Sequence, residues 1–545
     1  MQDELDRMQK HADQRKQEPD YDQPKAQRVI DELVMRHENL MNPKAHPLST
    51  ALTSFGFIYY LGLSPAAAIV NLSQTALVAY PVMAAKWGFT KSAAALMKAS
   101  NEAMMGKNDI TKSLNPEERR AFDKAVKDGT IDVTQAHDLA GIAQGEDSKV
   151  MWKIRPVMRA ASFLFHQAEV FNRQVTFIAA FRLAREAGAS TTAAYEQAKK
   201  ATYEGHFDYS AANRPRLMQG NVAKVVLLFK QYAQNMVYTM ARNAYLSVAG
   251  ESPEVKKEAR KVFGAIMALH ASAAGVLGLP LVGTILALAS ALGGDDDEPW
   301  DAEVAMRNML AETLGQKPAD VIARGLSRLG PADISGRVSL NNLLLPDVQE
   351  GLEGRKLAEA WTMALLGPVA GVVTNAAVGA NHIAEGRYSM GLESMLPVAL
   401  RNQVKALRYA EEGVVDRTGV VVRDDVSLAG IASQLVGFSP SEVRLSFEGK
   451  AAVYQADRRL GARRSELLAQ FAKAAMDKDQ EGMADARAAI MAFNQKNPTR
   501  RIQANHMMQS VKARQRRIAL AKDGIYLPAN RADARSAGRF AEVEG

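Results

Sequence analysis

The chain has no cysteine. That excludes disulfides, thiolate nucleophiles and cysteine-based zinc sites, and with them the small stapled secreted scaffold. Catalytic signatures are missing too. There is no Gly-x-x-x-x-Gly-Lys-Ser/Thr phosphate loop, no His-Glu-x-x-His, no Gly-x-Ser-x-Gly and no dinucleotide fingerprint. The nine histidines are scattered without metal-ligand spacing, and Asp295-Asp296-Asp297 lacks the register of a calcium loop. A carboxylate pair for glycoside cleavage would meet only in the fold, and nothing points to one. No catalytic residue, cofactor site or metal site is assigned, and the expectation is a protein that is not an enzyme. The first 25 residues are charged and Gln-rich, without the apolar core of a signal peptide.

Helically spaced apolar sequence is abundant. Hydrophobic residues make up 47% of 545, a globular proportion. A mean hydropathy of -0.19 argues against a conventional multi-span membrane protein. One long uncharged run is Val262–Leu292, 31 residues without Asp, Glu, Lys or Arg. About 20 apolar residues suffice to cross a bilayer. Lys256, Lys257, Arg260 and Lys261 precede this run and Asp295, Asp296, Asp297 and Glu298 follow it, so the basic end would face the cytoplasm. The membrane-inserting candidates are Val262, Ile266, Leu269, Val276, Leu277, Leu281, Ile285, Leu286 and Leu288. The alternative is a helical hairpin in a soluble core, broken at Gly278-Leu279-Pro280.

A second apolar stretch, Pro47–Gly88, carries no charge before Lys86, and Pro65 and Pro81 are expected to divide it into short helices. Its polar centre, Asn71, Ser73, Gln74 and Thr75, is expected to bond between packed helices rather than to hold a ligand. Asn115-Pro116-Glu117-Glu118 marks a helix start. Pro156–Glu186 should be a long amphipathic helix with Phe163, Val170, Phe171, Phe177, Ile178 and Phe181 on one face. His166, Glu169 and Arg173 share another stripe, where a polar network with a neighbouring helix is a commoner arrangement than a catalytic pair. Val222–Gly250 should be one further helix, and Ser252-Pro253-Glu254 should cap the next. Trp361–Ala380 is a weaker uncharged run, and Val420-Val421-Val422 suits a short strand. Ser439-Pro440-Ser441-Glu442 has capping-box spacing ahead of a charged helix to about Asp479, which should pair with Glu481–Asn494.

Charge is unevenly placed. Residues 451–545 carry 18 Lys+Arg against 10 Asp+Glu, which accounts for the whole net charge of +8. From Ala486 to Lys522 there is no acid, and nine cations stand there: Arg487, Lys496, Arg500, Arg501, Lys512, Arg514, Arg516, Arg517 and Lys522. Such a stretch can track phosphates of nucleic acid or anionic lipid headgroups.

The expected fold is all-α: an elongated multi-helix assembly with long amphipathic helices and two or three apolar segments. Five regions follow: a charged arm (1–46), a helical domain (47–254), an apolar hairpin or inserting segment (255–300), a mixed helical region (301–438) and a basic helical domain (439–545).

Four sets of residues carry a resemblance. They are Gly62-Leu63-Ser64-Pro65 with Val70-Asn71-Leu72-Ser73-Gln74-Thr75; Phe165-His166-Gln167-Ala168-Glu169 through Asn172-Arg173; Phe207-Asp208-Tyr209-Ser210 through Pro215 with Phe229-Lys230-Gln231-Tyr232; and Asn494-Gln495-Lys496-Asn497-Pro498. Together they resemble the C-terminal region of bacteriophage internal virion (ejection) proteins and of large polyvalent phage proteins, over about residues 45 to 530. The resemblance implies a protein packaged in the capsid and expelled into the host envelope, where it helps form a conduit for the genome. Implied partners are other virion core, portal or tail proteins, further copies of the chain, DNA and the host membrane. Only about 45 residues precede the shared region here, so the lytic modules of longer members are not carried over. Two alternatives stand beside this reading: a polyvalent enzyme acting on cell wall or nucleic acid, and a soluble helical scaffold.

Overall fold

The computed structural model describes residues 2–18, 21–41, 47–132, 149–209, 215, 220–293, 300–341, 343, 354–416 and 419–521. The polar stretch 133–148, Ser210–Arg214, the acidic residues Asp295–Glu298 and Lys522 lie outside them. The described chain is all-α apart from two short antiparallel pairs, Ala332–Asp333 with Ser439–Pro440 and Val414–Val415 with Val421–Arg423. The second pair holds the strand expected at the valines.

The chain divides into two compact units, 1–282 with 314–446, and 283–313 with 447–545. In the first, the helix Lys149–Glu186 is central. From Val175 to Ala184 almost every side chain is buried, including Phe177, Ile178 and Phe181. Helices Phe89–Met105, Pro116–Lys127 and Thr191–His206 pack around it, burying Leu96, Ala99, Phe122, Tyr195 and Ala198 in the same cluster. Phe163, expected on the apolar face, is instead 55% exposed, because burial concentrates in the C-terminal half of the helix.

Local chemistry explains several boundaries. Asn115 Oδ1 accepts from the Glu117 and Glu118 amides while Glu118 reaches back to the Asn115 amide, a complete capping box. Ser252 caps Pro253–Ala274 through the Val255 amide. The expected Ser-Pro-Ser-Glu capping box does not form. Pro440 sits in a strand pair, the helix begins at Ser441, and the Glu442 carboxylate accepts from the amide and hydroxyl of Ser427.

Two expected continuities or breaks fall differently. Pro81 does not interrupt the apolar stretch, and Pro65–Trp87 runs as one helix of 23 residues. Proline cannot donate an amide and crowds the carbonyl four residues back; a π turn at Thr75–Ala79 loosens the helix at this point. Val222–Gly250 is not one helix, since Phe229 adopts φ 70° and separates Asn221–Val226 from Lys230–Ala249. The Phe229 ring meets Tyr60 edge-on, 6.2 Å between centroids. The Gly354–Ala384 helix is kinked at Gly367 (φ 79°), ahead of Pro368.

The second unit contains all but the last residue of the helix Ala302–Leu314, most of Ser441–Asp477, and the helices Gln480–Lys496 and Ala504–Ala521. Leu467, Phe471, Ala486, Ile490, Phe493 and Ile502 form its core. Arg307 pairs with Glu448 at 3.1 Å and Arg459 with Asp301 at 3.3 Å, tying the Ala302–Leu314 helix and the loop before it to the long one.

Candidate functional site

The apolar run Val262–Leu292 divides at Gly275, whose φ of 74° and ψ of 179° end the helix Pro253–Ala274. Val262 and Ile266 are buried among Val78, Val82, Phe207, Tyr209, Met236 and Leu340. Leu277 is buried as well, while Leu269 and Val276 are half-buried. Beyond the break the pattern reverses. Leu281, Ile285 and Leu288 are 51%, 61% and 59% exposed, and Leu286 is half-buried. The helix carrying the last three, Val282–Gly293, has 12 residues, too few to cross a bilayer. Among the described residues, one helix is long and apolar enough to do so, Pro65–Trp87, and half of its most apolar part is buried.

That helix carries the polar centre noted in the sequence. Asn172 of the central helix donates to the Asn71 carbonyl (2.8 Å) and accepts from the Thr75 hydroxyl (2.7 Å), and the Gln74 amide donates to the Gly205 carbonyl (3.3 Å). Gly205 is required there, because a β-carbon would lie 2.6 Å from that of Ala79 in the π turn. Arg173 is 1% exposed and donates to the carbonyls of Thr130 (3.1 Å) and Phe207 (2.8 Å). Gln174 donates to the Asn108 side chain at 2.8 Å. The stripe singled out in the sequence thus faces a polar layer between packed helices, with Glu169 buried beside Arg173. Burial and the nearby Arg173 charge depress the His206 pKa to about 3, and its Nε2 shares a 2.7 Å hydrogen bond with the Thr176 hydroxyl. Burial, reinforced by the Glu169 charge, raises the Tyr209 pKa. The layer satisfies main-chain carbonyls and holds helices in register. Sequence reasoning missed Gln174 and His206 and named Asn172 only within a resembling segment, because the partners of all three stand 30 to 101 residues away.

The basic stretch lies in the second unit. Arg487, Lys496, Arg501, Lys512 and Arg516 are exposed, and Arg500 and Arg514 are half-buried. Arg500 pairs with Asp457, and the Arg487 guanidinium stands 5.6 Å from the Phe471 ring centroid. Lys512 and Arg516 lie one turn apart on the outer face of Ala504–Ala521, while Met507 and Val511 pack inward. Arg517 is within that helix, and its side chain is outside the described ones. Asn494 fixes the turn that presents these cations: its Oδ1 accepts from the Ile502 amide (2.6 Å) and its Nδ2 donates to the Ile502 carbonyl (2.9 Å). Among the described residues no group of three or more His, Asp or Glu side chains is placed to hold a metal ion. No protein-family model, curated protein or solved structure matches the chain.

Proposed function

We propose that this chain is a helical internal virion protein, stored in the phage capsid and expelled into the host envelope, where it joins copies of itself and other virion proteins in a conduit for the genome. The observation that carries this reading is the exposed apolar face of Val282–Gly293. Ile285 and Leu288, with Leu281 just ahead, stand open to water in a segment without charge. Contiguous exposed apolar surface marks contact with lipid or another protein. The four resembling segments supply the phage context, and the exposed cations of the C-terminal helices suit DNA or anionic headgroups.

A second reading, the soluble helical scaffold, is favoured by Val262, Ile266 and Leu277, which are core residues rather than a free membrane anchor. Flotation with anionic liposomes followed by high-salt and alkaline washes separates the two. The conduit reading expects the protein to stay with lipid through both washes. Ile285→Asp with Leu288→Asp should abolish that retention at unchanged far-UV circular dichroism, because both sites are exposed and surface changes stay within about 0.5 kcal/mol. Leu277→Asp should instead unfold the protein by burying an unpaired charge. Retention lost in salt alone would leave only the basic stretch as the lipid contact, and no flotation at all would support the scaffold.

A further inference from the structure

The first unit holds a cavity of about 640 Å³ bounded by the Pro65–Trp87 helix, the central helix and residues around Arg337. That volume is ordinary for a small-molecule site. Its walls are largely carbon, from Leu61, Val70, Leu77, Phe165, Phe229 and Val338. Tyr60, Asn71, Gln74, Tyr209 and Tyr232 add polar atoms, and Arg337 is the single Lys, Arg, Asp or Glu among the lining residues.

Arg337 is poorly compensated. It donates to the Gly437 carbonyl at 2.7 Å and lies 5.7 Å from the Phe438 ring centroid. No carboxylate pairs with it among the described residues. Desolvation by the surrounding protein holds its pKa below the usual arginine value, with no neighbouring anion to restore it. Yet much of its surface remains open. Its position on the cavity wall reconciles these facts, since a side chain there is ringed by protein while it borders a void. An accessible guanidinium without a carboxylate partner offers an incoming anion charge-assisted hydrogen bonds. The rest of the wall favours alkyl carbon.

We propose that this cavity binds a single aliphatic chain with an anionic head, the chain against Val70, Leu77 and Phe165 and the head against Arg337. Fatty-acid carboxylate and lipid phosphate share this chemistry. None of the lining residues belongs to the exposed apolar helix or the basic stretch, so the proposal stands or falls independently of the conduit reading.

Calorimetric titration of the full chain with decanoate, decyl phosphate and decanol tests it. The expected result is saturable one-to-one binding of at least one anion about tenfold tighter than decanol. The tighter anion identifies the head as carboxylate or phosphate. Arg337→Gln should erase the preference while decanol binding persists, and Val70→Trp should fill the cavity and weaken all three at unchanged helix content. Equal binding of anions and decanol by the unsubstituted chain would overturn the proposal. So would a preference that survives Arg337→Gln. Should Arg337→Gln fail to fold, undiminished anion binding by Val70→Trp would overturn it.

Discussion

His206 lies inside the first unit at 3% exposure, with Nε2 bonded to Thr176 and no partner for Nδ1. Its folded pKa of about 3 falls below the ordinary value of 6.5, through desolvation and then the Arg173 charge. Between those values the unfolded chain binds the proton and the folded chain does not. Stability from this group is therefore complete above pH 6.5 and declines as pH falls, by up to about 1.4 kcal/mol per pH unit. Urea denaturation from pH 7 to pH 4 should show that slope, and His206→Gln should flatten it by one proton. An unchanged proton uptake in the variant would mean that other groups govern acid sensitivity. Arg173 makes a different demand at the same layer. Arg173→Met strands the Thr130 and Phe207 carbonyls, and it should cost about 3 kcal/mol in the same assay at pH 7. A loss under 1 kcal/mol would mean that water replaces the guanidinium.

Helix ends were legible where the signal is local. Asn115 and Ser252 each act within three residues of themselves, so their types and spacing suffice. The polar centre at Asn71–Thr75 was readable as a packed layer because its side chains demand partners, although those partners, Asn172 and Gly205, were not. Misreadings arose where tertiary contacts decide. Pro81 is carried by a π turn, Phe229 takes a left-handed backbone to reach Tyr60, and Glu442 abandons its cap for Ser427. Gly275 is the strongest such case. It and Gly325 both adopt backbone angles nearly confined to glycine, and they end two helices that approach each other there. A β-carbon on Gly275 would lie 2.2 Å from the Ala323 carbonyl group, and one on Gly325 would lie 2.3 Å from the Ala273 oxygen. Gly275→Ala and Gly325→Ala should each cost more than about 2 kcal/mol. The double variant should cost less than their sum, because both disturb one contact. Full additivity in chemical denaturation would show that the two glycines act separately.

At the scale of the molecule, residues 1–450 balance 50 cations against 50 anions, so the net charge of +8 resides in the last 95 residues. The long-range attraction of this protein for polyanions is thus concentrated in the C-terminal stretch 451–545. Within it the cations are not equivalent. Arg500 already has Asp457, and Arg487 lies against Phe471, whereas Arg501, Lys512 and Arg516 are exposed on the last turn and helix. Counterion release makes the logarithm of duplex-DNA affinity fall with the logarithm of salt by about 0.9 per phosphate neutralised. Replacing Arg501, Lys512 and Arg516 together with Gln should lower DNA affinity and flatten that slope by roughly 2 to 3. Replacing Arg487 and Arg500 should flatten it by less than about 1, since neither is fully available to a phosphate. Fluorescence anisotropy on a short duplex across a salt series measures both slopes. If the two sets flatten the slope equally, the phosphate contact is spread over the whole basic stretch, and the exposed face of the last helix has no special role in it.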